Sequence, residues 1–166
     1  MQLTVNGESL ETKGTPLEVG ANIENVSLKT MDGQEVQLQE LVADKVTILS
    51  VVPNILTRTC ELQTKHFAKE TQDKGYQFFT VSRNTPEEFD EWAYENDVKV
   101  QTLSDYQGDF GKAFGIEIDL GGNDLLTRSV YVIDQKGKIA YVDYVKEVTE
   151  EPNYDAALAK AEELSK

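Results

Sequence analysis

The chain has 166 residues, and 16 basic against 30 acidic side chains give it a formal net charge of −14 at pH 7. This length predicts one domain with a substantial core, formed by residues 1–166. The acidity excludes non-specific nucleic-acid binding, which needs a basic face, and an anionic membrane surface would repel the protein.

The opening residues indicate the compartment, and the numbers of cysteines and histidines limit the chemistry that the chain can perform. No apolar run is long enough for a transmembrane helix, and Met1–Gly7 lacks the features of a signal peptide, so we expect a cytoplasmic location. Cys60 is the single cysteine and His66 the single histidine. One cysteine excludes an intramolecular disulfide, a Cys-x-x-Cys pair and a cysteine zinc cluster, and we expect no metal or cofactor.

Two hairpins open the chain. Gln2–Val5 and Glu8–Thr12 flank Asn6-Gly7, a pair that favours a type I′ turn. A second hairpin is predicted to turn at Asp32-Gly33, with strands at Val26–Leu28 and Val36–Leu38.

A buried strand and a helix come next. Val46–Val52 is a nearly continuous apolar run, typical of a strand buried on both faces, and it ends at Pro53. A helix is predicted to begin near Thr59 or Cys60 and to end by Gly75. Its buried face would carry Cys60, Thr64, Phe67, Ala68 and Thr71.

The middle of the chain alternates strand and helix. Tyr76–Ser82 is predicted to be a strand, and Thr85–Glu88 forms a capping box with proline at the first helical position. Phe89, Trp92 and Ala93 give that helix its apolar face. A short strand at Val98–Leu103 and a short helix at Gly108–Phe114 follow.

The last third is predicted to form a hairpin and a closing helix. Ser129–Asp134 and Lys138–Val145 flank a turn at Gln135–Gly137, and apolar side chains recur with helical spacing over Tyr154–Leu164. Beyond the opening hairpins the order is therefore β-α-β-α-β, then ββ-α. This order is typical of an α/β, thioredoxin-like fold: a central mixed β-sheet flanked by helices, here with an N-terminal β-hairpin extension.

The surroundings of Cys60 favour chemistry at its thiol. Cys60 lies in or just before the first turn of a helix, where free N–H groups and the helix dipole favour negative charge. An ordinary thiol is only about 3% ionised at pH 7. A helix N-terminus contributes up to about 2 kcal/mol, and a hydrogen bond to a charged group about 1.5–3 kcal/mol, towards the thiolate.

One well-placed arginine, together with the helix N-terminus, would therefore be sufficient to stabilise the thiolate. Arg58 is close in sequence and Arg128 precedes a buried strand, but the sequence alone does not bring Arg128 to the thiol. The alternative is that Cys60 is a small, inert core side chain.

The residues from Pro53 to Cys60 resemble the Pro-x-x-x-Thr-x-x-Cys signature of peroxiredoxins. The N-terminal hairpin and three further segments resemble the bacterial thiol peroxidase (Tpx) branch of that family, so the resemblance spans essentially the whole chain. The three segments are Thr102–Asp105, Leu125–Val130 and Glu151–Leu158.

The resemblance implies a role for four residues. Cys60 would be the peroxidatic thiolate that attacks the O–O bond, and Thr57 would hydrogen-bond the thiolate and the peroxide. Arg128 would stabilise the thiolate and the charge that develops as the bond breaks. Pro53 would shield the pocket and fix the loop. The family also implies a homodimer.

The chain departs from the family pattern in two places. Members of this branch usually carry a second, resolving cysteine just after an aromatic residue, and the matching position after Trp92 is Ala93. Either this is a one-cysteine enzyme that uses an external thiol, or Ala93 is an engineered replacement of a cysteine. The loop before Cys60 also differs from the family pattern. Where the family usually has serine, aspartate, glycine and an aliphatic residue, this chain has Asn54, Leu56, Arg58 and Thr59.

These observations predict a thiol-dependent peroxidase that reduces hydrogen peroxide or small organic hydroperoxides through a sulfenic acid at Cys60. An external thiol, either a thioredoxin-like protein or a small thiol, would complete the cycle. The alternative is a peroxide sensor or thiol-modified interaction protein that oxidises without efficient turnover. A third hypothesis is a non-catalytic scaffold in which Cys60 is inert. We expect His66 to be a surface or packing residue rather than a catalytic base.

Overall fold

The computed structural model describes residues 1–166, which form eleven strands and five helices. The strands are β1 Gln2–Val5, β2 Glu8–Glu11, β3 Ser27–Thr30, β4 Glu35–Gln37, β5 Thr47–Val51, β6 Gln77–Ser82, β7 Thr102–Ser104, β8 Glu117–Leu120, β9 Asn123–Leu126, β10 Ser129–Ile133 and β11 Ile139–Tyr144. The helices are α1 Leu38–Val42, α2 Arg58–Glu70, α3 Pro86–Asn96, α4 Asp109–Phe114 and α5 Tyr154–Ser165. None of them has the length and apolar character needed to span a membrane.

Seven strands form the central sheet, in the order β11-β10-β5-β6-β7-β3-β4. The pairs β5–β6 and β6–β7 are parallel and every other pair is antiparallel, so the sheet is mixed. The parallel pairs are the ones that α2 and α3 connect, as parallel strands require a long crossover. This confirms the predicted thioredoxin-like fold. The β1–β2 and β8–β9 hairpins form separate two-stranded sheets.

Alternate residues of the central strands face two different helix layers. Ile48, Phe78 and Val130 pack with α2 and α5. Their neighbours Leu49 and Phe79 pack with the buried side chains of α1 and α4. Strands buried on both faces have continuous apolar sequences, which is why Val46–Val52 lacks the alternation of a half-exposed strand.

A predicted turn and a predicted helix cap are confirmed. Asn6 and Gly7 have φ angles of 51° and 83°, as a type I′ turn requires. The hydroxyl of Thr85 accepts from the backbone of Glu88, whose carboxylate accepts from the Thr85 backbone, so the capping box is present.

Three element predictions were wrong or incomplete. The strand expected at Val98–Leu103 is confined to Thr102–Ser104, because only those residues pair with β6. Helix α1 was missed, as its five residues are too few to show a helical period. The β8–β9 hairpin, whose strands are joined by Gly121-Gly122, was also missed.

Candidate active site

The thiol lies where β5 leads into α2. Thr57 is the N-cap of α2, and Cys60 is the third helical residue, which confirms its expected place in the first turn. Cys60 has no exposed surface. It packs with the buried side chains Val52, Ile55, Phe89 and Trp92. The helix N-terminus and an apolar enclosure therefore meet at this sulfur.

Strand pairing brings Arg128 to the thiol from a distant part of the sequence. Arg128 precedes β10, and the antiparallel register of β10 with β5 places Ser129 opposite Val51. Arg128 consequently lies beside the loop that follows β5, and its Nη2 is 3.4 Å from the Cys60 Sγ. These two residues, 68 positions apart, are the pair that the sequence alone could not connect.

The other guanidinium nitrogens of Arg128 bind neutral oxygens. Nη1 donates to Gln63 Oε1 at 2.9 Å, and Nε donates to the carbonyl of Val148 at 2.7 Å. Arg128 is buried, with 3% exposure, and takes part in none of the ion pairs of the chain. A buried charge without a counter-ion is costly. Negative charge on the Cys60 sulfur would provide that counter-ion.

Gln63 is a site residue that the sequence reasoning missed. Its Nε2 donates to Ser50 Oγ at 2.8 Å while its Oε1 accepts from Arg128, so the amide bridges β5 and the guanidinium. The signal was present, because residues three apart share a helix face and Gln63 follows Cys60 by three.

Asn84 anchors the loop between β5 and α2. Its Oδ1 accepts from the buried backbone N–H of Ile55 at 2.8 Å, and its Nδ2 donates to Asn54 Oδ1 at 3.1 Å. Pro53 is buried within this loop. No sequence signal marks Asn84, since it acts on residues 29 and 30 positions away.

The Thr57 side chain is next to the thiol in sequence but does not bind it. Its hydroxyl donates to the carbonyl of Asn54 at 2.8 Å and caps no helix N–H. Thr57 is exposed, whereas Cys60 is buried. The structure thus brings Cys60 and Arg128 into contact and leaves Thr57 at the outer edge of the site.

The side chains of three other residues singled out from the sequence have their contacts with groups other than the sulfur. The Arg58 side chain is 80% exposed, and its nearest carboxylate is Glu61 at 4.0 Å. The hydroxyl of Thr59 donates to the carbonyl of Thr149 at 3.1 Å. His66 stacks on the ring of Tyr154 with 3.7 Å between centroids, which confirms the expectation of a packing residue.

Ala93 lies between the thiol enclosure and a surface groove. It packs against the cluster that contains Cys60 and also lines a groove of about 780 Å³ between α2 and α3. Cys60 itself does not line that groove. No group of three or more His, Cys, Asp or Glu side chains is arranged to hold a metal ion.

Comparison with known proteins agrees with this geometry. The family described as Redoxin matches residues 18–158. A thiol peroxidase of Bacillus subtilis (strain 168) is 36% identical over 168 aligned positions, covering 99% of each chain. A thiol peroxidase of Streptococcus parasanguinis is 37% identical, covering 93% of this chain and 94% of its own.

A solved structure extends the agreement to three dimensions. The crystal structure of a peroxiredoxin-like protein from Aquifex aeolicus is 30% identical, with a TM-score of 0.90, and the match covers 98% of this chain and 96% of that one. The thioredoxin-like fold and the buried Cys60–Arg128 pair thus occur in a chain that its relatives match over nearly its whole length. The protein belongs to the peroxiredoxin family, in its thiol peroxidase branch, and is a peroxidase-type oxidoreductase that lacks a resolving cysteine.

Proposed function

We propose that Cys60 is the peroxidatic residue of a one-cysteine cycle that reduces hydrogen peroxide or small organic hydroperoxides with an external thiol. One observation carries the proposal: the buried guanidinium of Arg128 lies 3.4 Å from Sγ and has no carboxylate partner. Such a charge stabilises a thiolate, which is the nucleophilic form of cysteine. It also stabilises the oxygen that gains charge as the peroxide bond breaks.

The first half of the cycle oxidises the enzyme. The Cys60 thiolate attacks one peroxide oxygen, an S–O bond forms and the O–O bond breaks. The sulfur becomes a sulfenic acid, and the leaving oxygen takes a proton and departs as water or an alcohol. Since Cys60 has no exposed surface, the peroxide reaches Sγ only when the loop of Pro53–Thr57 moves.

Thr57 and Pro53 shape the entrance in this proposal. The Thr57 hydroxyl exchanges its bond to the carbonyl of Asn54 for one to the incoming peroxide. Buried Pro53 keeps bulk water from the sulfur and limits the conformations of the loop. Thr57 thus contacts the substrate and Pro53 shapes the loop, whereas Arg128 acts on both the thiolate and the substrate.

The second half of the cycle needs an external thiol. Cys60 is the only cysteine, so its sulfenic acid cannot form a disulfide within the chain. A first external thiol displaces water and forms a mixed disulfide with Cys60. A second releases the Cys60 thiol and leaves the reductant as a disulfide. The reductant is a thioredoxin-like protein or a small thiol, and residues 1–166 act as a single domain. The homodimer and the cytoplasmic location stay predictions.

The closed environment of Cys60 favours one alternative, a peroxide sensor. A protein thiol cannot reach a sulfur that has no exposed surface until the first turn of α2 moves. If that opening is rare, the protein oxidises readily and turns over slowly, and the oxidised form persists long enough to affect a partner.

A trapping experiment tests the reaction. Reduced protein is mixed with one equivalent of cumene hydroperoxide and a sulfenic-acid trap, and the intact mass is followed with time. We expect a single adduct on Cys60 within seconds, and none in Cys60→Ser. An unmodified mass after minutes would contradict the proposal and favour an inert scaffold. Turnover with thioredoxin, glutathione or dithiothreitol then separates the enzyme from the sensor.

A further inference from the structure

The carboxylate of Glu147 joins the N-terminal hairpin to the segment after β11. One oxygen accepts from the Thr4 hydroxyl at 3.0 Å and from the backbone N–H of Gly7 at 2.9 Å. The other accepts from the backbone N–H of Asn6 at 3.1 Å, and from both the N–H and the hydroxyl of Thr149. Five donors from two separate segments thus meet on one side chain.

The hydrogen bonds suit an ionised carboxylate. The hydroxyl of Thr149, followed by the N–H groups of Gly7, Thr149 and Asn6, lowers the pKa of Glu147 from its usual 4.5 to about 2. Glu147 is therefore ionised at neutral pH, and both of its carboxylate oxygens accept hydrogen bonds. Bonds of this type are shorter and stronger than those between neutral groups.

The two residues that follow Glu147 touch the thiol site. The carbonyl of Val148 accepts from Arg128 Nε at 2.7 Å, and the carbonyl of Thr149 accepts from the hydroxyl of Thr59, the neighbour of Cys60. The Val148 N–H donates in turn to the carbonyl of Thr4. Three consecutive residues thus connect the N-terminal hairpin, the guanidinium and the first turn of α2.

We propose that Glu147 is a positioning residue for the chemistry at Cys60, acting through Arg128. Its carboxylate holds the segment on the hairpin, and the segment places the Val148 carbonyl where it orients the planar guanidinium, with Nη2 towards the sulfur. Because a guanidinium is rigid, the acceptor at Nε sets the direction of Nη2. This inference rests on the proposed peroxidase function.

A double-mutant cycle tests the inference. We expect Glu147→Ala to lower the second-order rate constant of Cys60 with hydrogen peroxide by about tenfold, as a small misplacement of a reacting group does. In an Arg128→Met background the same change should have almost no further effect, because the group through which Glu147 acts is gone. The Glu150→Ala variant is the matched control, since that neighbouring side chain is exposed and makes no hydrogen bond.

A second readout separates positioning from general stability. The rate of Cys60 alkylation by iodoacetamide is followed against pH, and in Glu147→Ala we expect its midpoint to move to higher pH. A merely structural contact would lower the melting temperature without moving this profile. Should Glu147→Ala fold poorly, Glu147→Gln keeps the size and loses the charge, and it should show the same shift to a smaller extent.

Two outcomes would overturn the inference alone. One is a wild-type rate in a folded Glu147→Ala variant, and the other is an equal loss in the wild-type and Arg128→Met backgrounds. A wild-type protein that reacts with peroxide no faster than free cysteine would instead overturn the proposed function, and the positioning role with it.

Discussion

At the scale of single residues, the proposed chemistry depends on Arg128 and its buried charge. Gln63 and Val148 hold two of its nitrogens, and neither brings negative charge. A carboxylate in either place would neutralise the guanidinium and leave less of its field for the sulfur. Neutral acceptors therefore position the charge while keeping it available to Cys60.

Replacing Arg128 with methionine should remove that field while keeping an unbranched side chain. We expect Arg128→Met to lower the second-order rate constant of Cys60 with hydrogen peroxide by about 10²- to 10³-fold, the loss typical of one donor at a developing oxyanion. Stopped-flow measurement of Trp92 fluorescence is suited to this, because the single tryptophan packs in the same cluster as Cys60.

Arg58→Met is the matched control for this substitution. Arg58 is only two residues from Cys60, but its side chain is 80% exposed. Screening by water makes its charge nearly irrelevant at the sulfur, so the rate should change by less than about twofold. Equal losses in the two variants would mean that net charge, rather than the Arg128 contact, controls the thiol.

At the scale of elements, the connection after β6 supports the loop that encloses the thiol. Asn84 lies between β6 and α3, and its side chain binds the loop between β5 and α2. Its own carbonyl accepts from the hydroxyl of Ser104 at the end of β7. The carboxyl ends of three parallel strands are thereby tied together at the edge of the sheet where sites of α/β proteins usually lie.

Removing the Asn84 amide should loosen this loop. Asn84→Ala leaves the buried N–H of Ile55 without a partner, so we expect the free energy of unfolding to fall by about 1–3 kcal/mol. The peroxide rate constant should fall by about tenfold as the loop loses its fixed position. Urea unfolding and stopped-flow kinetics provide the two numbers.

A suitable control for the amide is Asn22→Ala, because Asn22 is exposed and its side chain makes no hydrogen bond. It should alter neither quantity. If Asn84→Ala were as stable and as fast as the wild type, the loop would be held by its packing alone.

At the scale of the whole molecule, the stability of the fold should change with pH through a buried carboxyl group that makes no contact with the thiol. Asp105 is buried and accepts from the N–H groups of Phe110 and Gly111 at 2.9 Å each, at the start of α4. Burial raises the pKa of Asp105 from its usual 3.8 to about 6, although these two hydrogen bonds act in the opposite direction.

The sign of the resulting pH dependence follows from proton binding. The folded protein holds this proton more tightly than the unfolded chain does. The stabilisation is therefore complete below a pH of about 4 and is lost as the pH rises through about 6. The shift corresponds to roughly 2–3 kcal/mol of unfolding free energy.

Urea unfolding from about pH 4 to about pH 7 isolates this group when the wild type is compared with Asp105→Asn. The difference between the two free energies should change across the interval, because the variant has no proton to lose there. Asp155→Asn, an exposed position in the first turn of α5, should run parallel to the wild type. A constant difference for Asp105→Asn would contradict the raised pKa.

Local patterns in the sequence were enough to predict much of the molecule. The Asn6-Gly7 turn, the Thr85 capping box and the buried run at Val46–Val52 each depend on neighbours within a few residues, so they are visible in one dimension. The same holds for Cys60 in the first turn of α2. Helix α1 was not predicted, because its five residues are too few to show a helical period.

The contacts that give Cys60 its surroundings come from far along the chain. Pairing of β10 with β5 brings Arg128 to the sulfur from 68 residues away, and the segment after β11 supplies the carbonyl of Val148. Local backbone preferences were sufficient to predict that the single thiol lies in the first turn of a helix and to predict most of the order of the elements. The contact of the thiol with Arg128, rather than with the nearer Arg58, is visible only in the folded chain. Strand register brings Arg128 to the sulfur and burial keeps water from its charge, whereas water screens the exposed charge of Arg58.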